Sequence, residues 1–122
     1  MTPLAARMRS AMNVLPQKIR EVVLELEKGL RHLYGSRFRG LLLYGSYARG
    51  TAWEGSDVDL LLLLDGPVDP VREILAMECV AWPLSLDSGL VLSVMAADVE
   101  SWRGGEGIFF KTIRSDAVPV AA

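Results

Sequence analysis

Two aspartates one residue apart, Asp57 and Asp59, and a Gly-Ser pair upstream, Gly45-Ser46, are the residues whose types and spacing suit chemistry. If Asp57, Val58 and Asp59 are extended, alternation sends both carboxylates to one face and Val58 to the other. Two acids crowded at the mouth of a buried strand repel each other, and a hard divalent cation such as Mg2+ relieves that repulsion by binding carboxylate oxygens. A solvated strand start with two ordinary acids is the plainer reading of the same residues. Gly45 permits a tight turn and lets a ligand approach the backbone. Ser46 is placed to cap a short segment, Tyr47 to Arg49, whose first N–H groups then face outward and suit a phosphate.

The elements around these residues must hold them at one point. Leu41 to Tyr44, led in by Arg39-Gly40, is too short for an ordinary helix, and Val58 with Leu60 to Leu64 is stopped by Asp65-Gly66-Pro67. Short apolar runs bounded by turn residues predict buried strands. The second run does not alternate after Asp59, so it predicts a central strand covered on both faces. Upstream, Ile19, Val22, Val23, Leu26, Leu30 and Leu33 recur at helical steps and predict an amphipathic helix from Pro16 to Tyr34-Gly35, packed on the sheet. Asp69-Pro70 opens a second helix to about Val80, ended by Pro83, with Cys79 as a buried small residue. Leu90 to Met95 predicts a third strand. Asp98 caps a short turn through Trp102, Gly104 to Gly107 form a hinge, and Ile108, Phe109, Ile113 and Val118 form a short helix and an exposed tail. Trp53 lies either near a ligand or folded over the core edge. Residues 1–15 form an N-terminal segment, a mobile tail or a partner contact, with Thr2-Pro3 opening a helix through Met12. Residues 16–122 form one domain. The fold class is α/β (α+β), a mixed sheet flanked by helices.

Composition narrows the function classes. With 51% apolar residues the chain is globular, and 122 residues suffice for one domain. Thirteen basic and 15 acidic side chains give a net charge of −2, without the basic footprint of a duplex-binding protein. A local patch at Arg31, Arg37, Arg39 and Arg49 remains available. The single cysteine, Cys79, excludes an intramolecular disulfide and a cysteine-based zinc cluster. His32, the one histidine, reads as a half-exposed helix residue. No stretch reaches the length of a membrane span, and no apolar core follows the first arginines, so the expected compartment is the cytoplasm.

The combination Gly45-Ser46, ten residues, then Asp57-Val58-Asp59 resembles the signature of the nucleotidyltransferase superfamily that includes DNA polymerase beta. The wording Gly-Ser-Tyr-Ala-Arg-Gly and Ser-Asp-Val-Asp-Leu is similar to its small branch, the minimal nucleotidyltransferases (MNT). That resemblance implies that Gly45 and Ser46, with Arg49, bind the nucleotide and that Asp57 and Asp59 hold Mg2+. ATP is then the donor. The superfamily usually places a third carboxylate on the third strand. Here Leu90 to Met95 holds no acid and Ser93 stands mid-strand; Asp87 upstream becomes the third catalytic candidate, and Asp98 is the nearest acid downstream. The minimal branch is commonly encoded beside a helical HEPN ribonuclease toxin, and its members transfer AMP to a toxin tyrosine. The resemblance therefore implies an antitoxin with a HEPN-type partner, while charge balance and the lack of a spanning stretch argue against nucleic acid and membrane. A catalytically weak module that neutralises its partner by contact, or a free-standing transferase of small molecules, are the other readings.

Overall fold

In the computed structural model, the described residues are Met12, residues 15–105 and residues 107–120. The helix expected over residues 2–12 lies outside them apart from Met12. Met12 and Leu15 are both buried in the main core.

Helix α1 spans Gln17–Tyr34 and buries Ile19, Val23, Leu26 and Leu30. Gly35 ends it at φ 55°, a backbone conformation that glycine adopts without strain. A 3-10 turn, Gly35–Arg37, leads into β1, Phe38–Tyr44. After one turn of helix, α2 (Ser46–Arg49), and a loop comes β2, Val58–Leu64. Helix α3 covers Pro70–Ser88 and β3 covers Leu92–Asp98. Two short helices follow, α4 (Val99–Gly104) and α5 (Ile108–Ile113), then β4, Val118–Pro119.

The strands form one mixed sheet in the order β3-β2-β1-β4. β2 runs parallel to β3 and antiparallel to β1, and β4 is antiparallel to β1. β2 is therefore central, and six of its seven residues are buried. Its alternate side chains feed two cores. Val58, Leu60, Leu62 and Leu64 join Leu41 and Leu43 under α1 and α3. Leu61 and Leu63 join Tyr44, Ala97, Val99 and Ile113 under α4 and α5. The mixed, helix-flanked sheet agrees with the sequence reading.

α1 and α3 meet closely. A Cβ on Gly29 would overlap a methyl of Val80, so glycine sets the approach. The Tyr34 hydroxyl donates to buried Glu73 at 3.3 Å. Burial first, and then the Glu73 carboxylate, push the Tyr34 pKa up to about 12.

Five expectations are corrected. Pro83 does not end its helix; α3 runs through it to Ser88. The bond lost is to the Cys79 carbonyl, and both residues are exposed, so water can satisfy that oxygen. Cys79 is exposed rather than buried, and His32 is exposed rather than half-exposed. The third strand starts later than Leu90 and ends later than Met95, because its pairing with β2 continues to Leu64↔Asp98. The C-terminal tail is an edge strand rather than exposed, held by the Val120 N–H donating to the Leu41 carbonyl at 2.9 Å and by burial of Val120. Among the described residues no helix is long and apolar enough to cross a membrane.

Candidate functional site

The end of β1 and the start of β2 lie side by side because those strands are antiparallel, with Tyr44 opposite Asp59. The start of β3 lies on the other side of Asp59 because that pair is parallel, with Ser93 opposite Asp59. Tyr44, Asp59 and Ser93 thus share one edge and one face of the sheet, the face covered further along by α4 and α5. Asp57 stands just before β2 and is exposed, while Asp59 is half-buried. The Val58 N–H donates to the Val91 carbonyl at 2.9 Å and ties this edge to β3.

Gly45 follows β1 at φ 78°, ψ −155°, a region essentially reserved for glycine. The Asp59 carboxylate occupies the space that a Cβ at Gly45 would fill. The glycine is thus needed twice, for its backbone conformation and for the absence of a side chain against Asp59. Gly45, rather than Ser46, is the N-cap of α2; Ser46 is the first helical residue, and no side chain caps this turn. The Arg49 N–H donates to the Gly45 carbonyl and the Thr51 N–H to the Ser46 carbonyl, each at 3.0 Å, which closes the turn. In the loop, the Trp53 N–H donates to Ser56 Oγ at 3.0 Å and the Ser56 N–H donates to the Trp53 carbonyl at 2.9 Å, fixing the approach to Asp57. Trp53 is not folded over the core; the residue is 72% exposed and its ring lies against Gly55.

The electrostatics of the pair follow from this packing. Burial first, and then the neighbouring Asp57 charge, raise the Asp59 pKa above the ordinary carboxylate value, while Arg49 opposes them. Tyr44 is raised by burial and then by Asp59. A half-buried carboxylate in repulsion with a second one suits a divalent cation, and the donor set of hard oxygens matches Mg2+.

The structure brings together Gly45, Ser46, Asp57 and Asp59. Arg49 lies close enough to Asp59 to lower its pKa, but its guanidinium also bonds Asp116 at 3.2 Å. Asp87 is not brought to the pair: it is exposed in the last turn of α3, not on β3. Asp98 lies opposite Leu64 at the far end of the sheet and caps α4 by accepting from the Glu100 N–H at 2.8 Å. Among the described residues no three His, Cys, Asp or Glu side chains converge. The other arginines of the expected basic patch are engaged: Arg31 with Glu27, Arg37 with the Asp65 and Pro67 carbonyls, and Arg39 with Asp65.

The sequence reading did not place Tyr44 beside Asp59. It ends an apolar run, and only the strand register puts it beside Asp59. Its ring meets Phe109 edge-on at 5.8 Å. Beyond it on the same face lies an apolar groove of ≈ 350 Å³ lined by Leu61, Met95, Ala97, Ile108, Phe109 and Phe110. A separate cleft of ≈ 480 Å³ around Arg37, Asp65 and Arg72 sits at the opposite end of β2 and belongs to no part of this site.

Comparison with known proteins agrees with the geometry. Residues 17–94, from α1 into β3, match the nucleotidyltransferase domain family. The chain belongs to that family. A relative from Methanocaldococcus jannaschii, provisionally named protein adenylyltransferase MJ0604, is 35% identical over 54 residues. That match covers 44% of this chain and 54% of the relative, so the nucleotidyltransferase spans about half the length of the curated protein it matches. Three solved structures share the fold. A chain of a toxin-antitoxin complex crystallised with AMP-PNP superposes with TM-score 0.57 at 15% identity, covering 83% of this chain and 71% of that one. A provisionally assigned nucleotidyltransferase from Sulfolobus solfataricus gives 0.56 at 14%, covering 93% and 85%. A mutant of the MntA-HpeT toxin-antitoxin complex gives 0.54 at 14%, covering 77% and 68%.

Proposed function

We propose that this nucleotidyltransferase transfers AMP from ATP to a hydroxyl of a partner protein, and that the partner is a HEPN-type toxin which it thereby neutralises. The observation that carries the reading is the Asp59 carboxylate seated on Gly45, two residues from Asp57, against a turn that no side chain caps. Gly45 and Ser46 would hold triphosphate oxygens, and Asp57 and Asp59 would hold Mg2+, which would supply positive charge to the triphosphate during in-line displacement. The acceptor oxygen bonds the α-phosphorus as the bond to pyrophosphate breaks, and the acceptor proton passes to solvent at this open edge. The apolar groove beyond buried Tyr44 gives a flat ring a place to lie. The short match to a provisionally named protein adenylyltransferase and the fold shared with toxin-antitoxin chains support a protein acceptor.

One observation favours a second reading. Ser93 stands where a third carboxylate would complete the metal site, so neutralisation by contact alone is the alternative. Incubation with α-labelled ATP, Mg2+ and the product of the neighbouring gene separates the two. The expected result is label on the partner, lost in Asp57→Asn and Asp59→Asn, with the complex retained. Full neutralisation by both variants without label overturns the enzymatic reading.

A further inference from the structure

Arg49 closes α2, and its Nη1 donates to Asp116 Oδ2 at 3.2 Å, a carboxylate 67 residues further along the chain. The sheet sets up this contact. β4 pairs Val118 with Leu43, and the same antiparallel step carried two residues further puts Asp116 level with Gly45. The Asp116 N–H and the Ala117 N–H both donate to the carbonyl of buried Ile113, at 3.0 and 2.9 Å. Ala117 packs against the core under α4 and α5. The Asp116 backbone is therefore fixed by α5 on one side and β4 on the other, and only 24% of its side chain is exposed. The Arg49 end is looser, with 49% of its side chain exposed.

An ion pair this open to water adds little to stability, but it does fix orientation. A guanidinium carries five N–H donors in one rigid plane, and among the described residues the Arg49 side chain bonds only Asp116. Its other carboxylate neighbour is Asp59. Arg49 is near enough to oppose the upward pKa shift that burial and Asp57 give Asp59, yet the two make no ion pair. Asp116 and Asp59 thus pull on the same guanidinium from two sides. With Asp116 in place, Arg49 stands clear of the aspartates and keeps its remaining donors free. Without it, Asp59 is the carboxylate left to draw Arg49 in, onto the oxygens a metal ion would need.

We propose that Asp116 is a positioning residue: it holds the Arg49 guanidinium beside the Gly45-Ser46 turn, clear of Asp57 and Asp59, so that the free donors meet phosphate oxygens. This rests on the reading of Gly45, Ser46 and Arg49 as nucleotide ligands. It goes beyond that reading by assigning a residue outside the motif, and outside residues 17–94 that match the family. Asp116 acts through Arg49 alone.

Calorimetric titration of the full chain with AMP-PNP in Mg2+ tests it. The wild type should bind. Asp116→Ala and the isosteric Asp116→Asn should each weaken binding about tenfold, the scale of one lost charge-assisted hydrogen bond, and Asp116→Glu should recover most of the loss. In an Arg49→Ala background, itself weakened, Asp116→Ala should cause no further loss. Without nucleotide, Tm should move by no more than about 4 °C in each Asp116 variant, as expected for an exposed pair. Wild-type affinity in both Asp116→Ala and Asp116→Asn overturns the proposal. An equal loss with and without Arg49 overturns it too, as does a Tm drop in Asp116→Asn well beyond about 4 °C, which would make the residue structural. All three leave the reading of the site standing, because the wild type still binds. A wild type that does not bind overturns that reading, and this inference with it.

Discussion

Gly45→Ala tests the reading of the site where geometry is most demanding. Gly45 holds φ 78°, ψ −155°, and an alanine there carries a backbone strain of about 1–3 kcal/mol. Its Cβ would also overlap the Asp59 carboxylate, which must leave its rotamer at a further cost of about 0.5–1.5 kcal/mol. The loss is therefore about 1.5–4.5 kcal/mol, or roughly 6–18 °C in Tm at about 4 °C per kcal/mol for a domain of this size. A shift of the carboxylate by about 1 Å costs catalysis about a hundredfold. Denaturant unfolding separates the two contributions. In an Asp59→Ala background only the Asp59 Cβ remains, 3.2 Å from the new methyl, so Gly45→Ala should cost only the backbone strain. The coupling between the two sites should be about 1 kcal/mol. Additive effects, or an alanine variant with unchanged Tm, would refute the claim that the carboxylate rests on this glycine.

Four other outcomes follow from the same structure. The Asp59 pKa is raised in the fold by burial and by Asp57, so folding opposes its ionisation; stability falls as pH rises from the ordinary carboxylate value to the raised one, and the penalty persists above it. Asp59→Asn should therefore raise Tm at neutral pH in EDTA, with the gain vanishing at acid pH, and an equal gain at every pH would contradict this. Mg2+ at about ten times its dissociation constant should stabilise the wild-type chain by about 1.4 kcal/mol, and scanning calorimetry should show no such gain for Asp57→Asn with Asp59→Asn. Ser93→Asp, placed opposite Asp59 by the register, should lower stability in EDTA and tighten Mg2+ binding by calorimetric titration. Asp69→Ala removes the acceptor for the Val71 and Arg72 N–H groups at the start of α3 and should cost about 1 kcal/mol in urea unfolding.

What the sequence made legible was local. Apolar runs bounded by turn residues located β1 and β2, and helical periodicity located α1. The Gly-Ser to Asp-x-Asp spacing located the candidate site, because all its parts lie within one strand-turn-strand unit. What stayed hidden depended on contacts distant in sequence. Pro83 is a local stop signal, yet α3 continues because Met77 and Ala81 on one side of it and Leu84 on the other are anchored in the core, while the bond it forfeits faces water. Ala96 and Ala97 carry little strand preference, so the expected strand ended at Met95; the ladder with β2 extends it. Val118–Pro119 gives no strand signal, and an edge position tolerates the missing proline N–H.

The third-acid question shows why register matters more than composition. Along the chain, Asp87 and Asp98 bracket the expected strand almost evenly, and nothing local separates them. Once β3 runs parallel to β2 with Ser93 opposite Asp59, both are removed for different reasons. Asp98 is carried to the far end of the sheet, and Asp87 stays on the helix that crosses the other face. The residue opposite Asp59 on β3, where the proposed metal site would take a third carboxylate, is thus a serine that carries no signal in the sequence. The same register makes Tyr44 a neighbour of Asp59. Strand pairing thus sets the outer limits of the candidate site, while its two aspartates lie in a motif short enough to read directly.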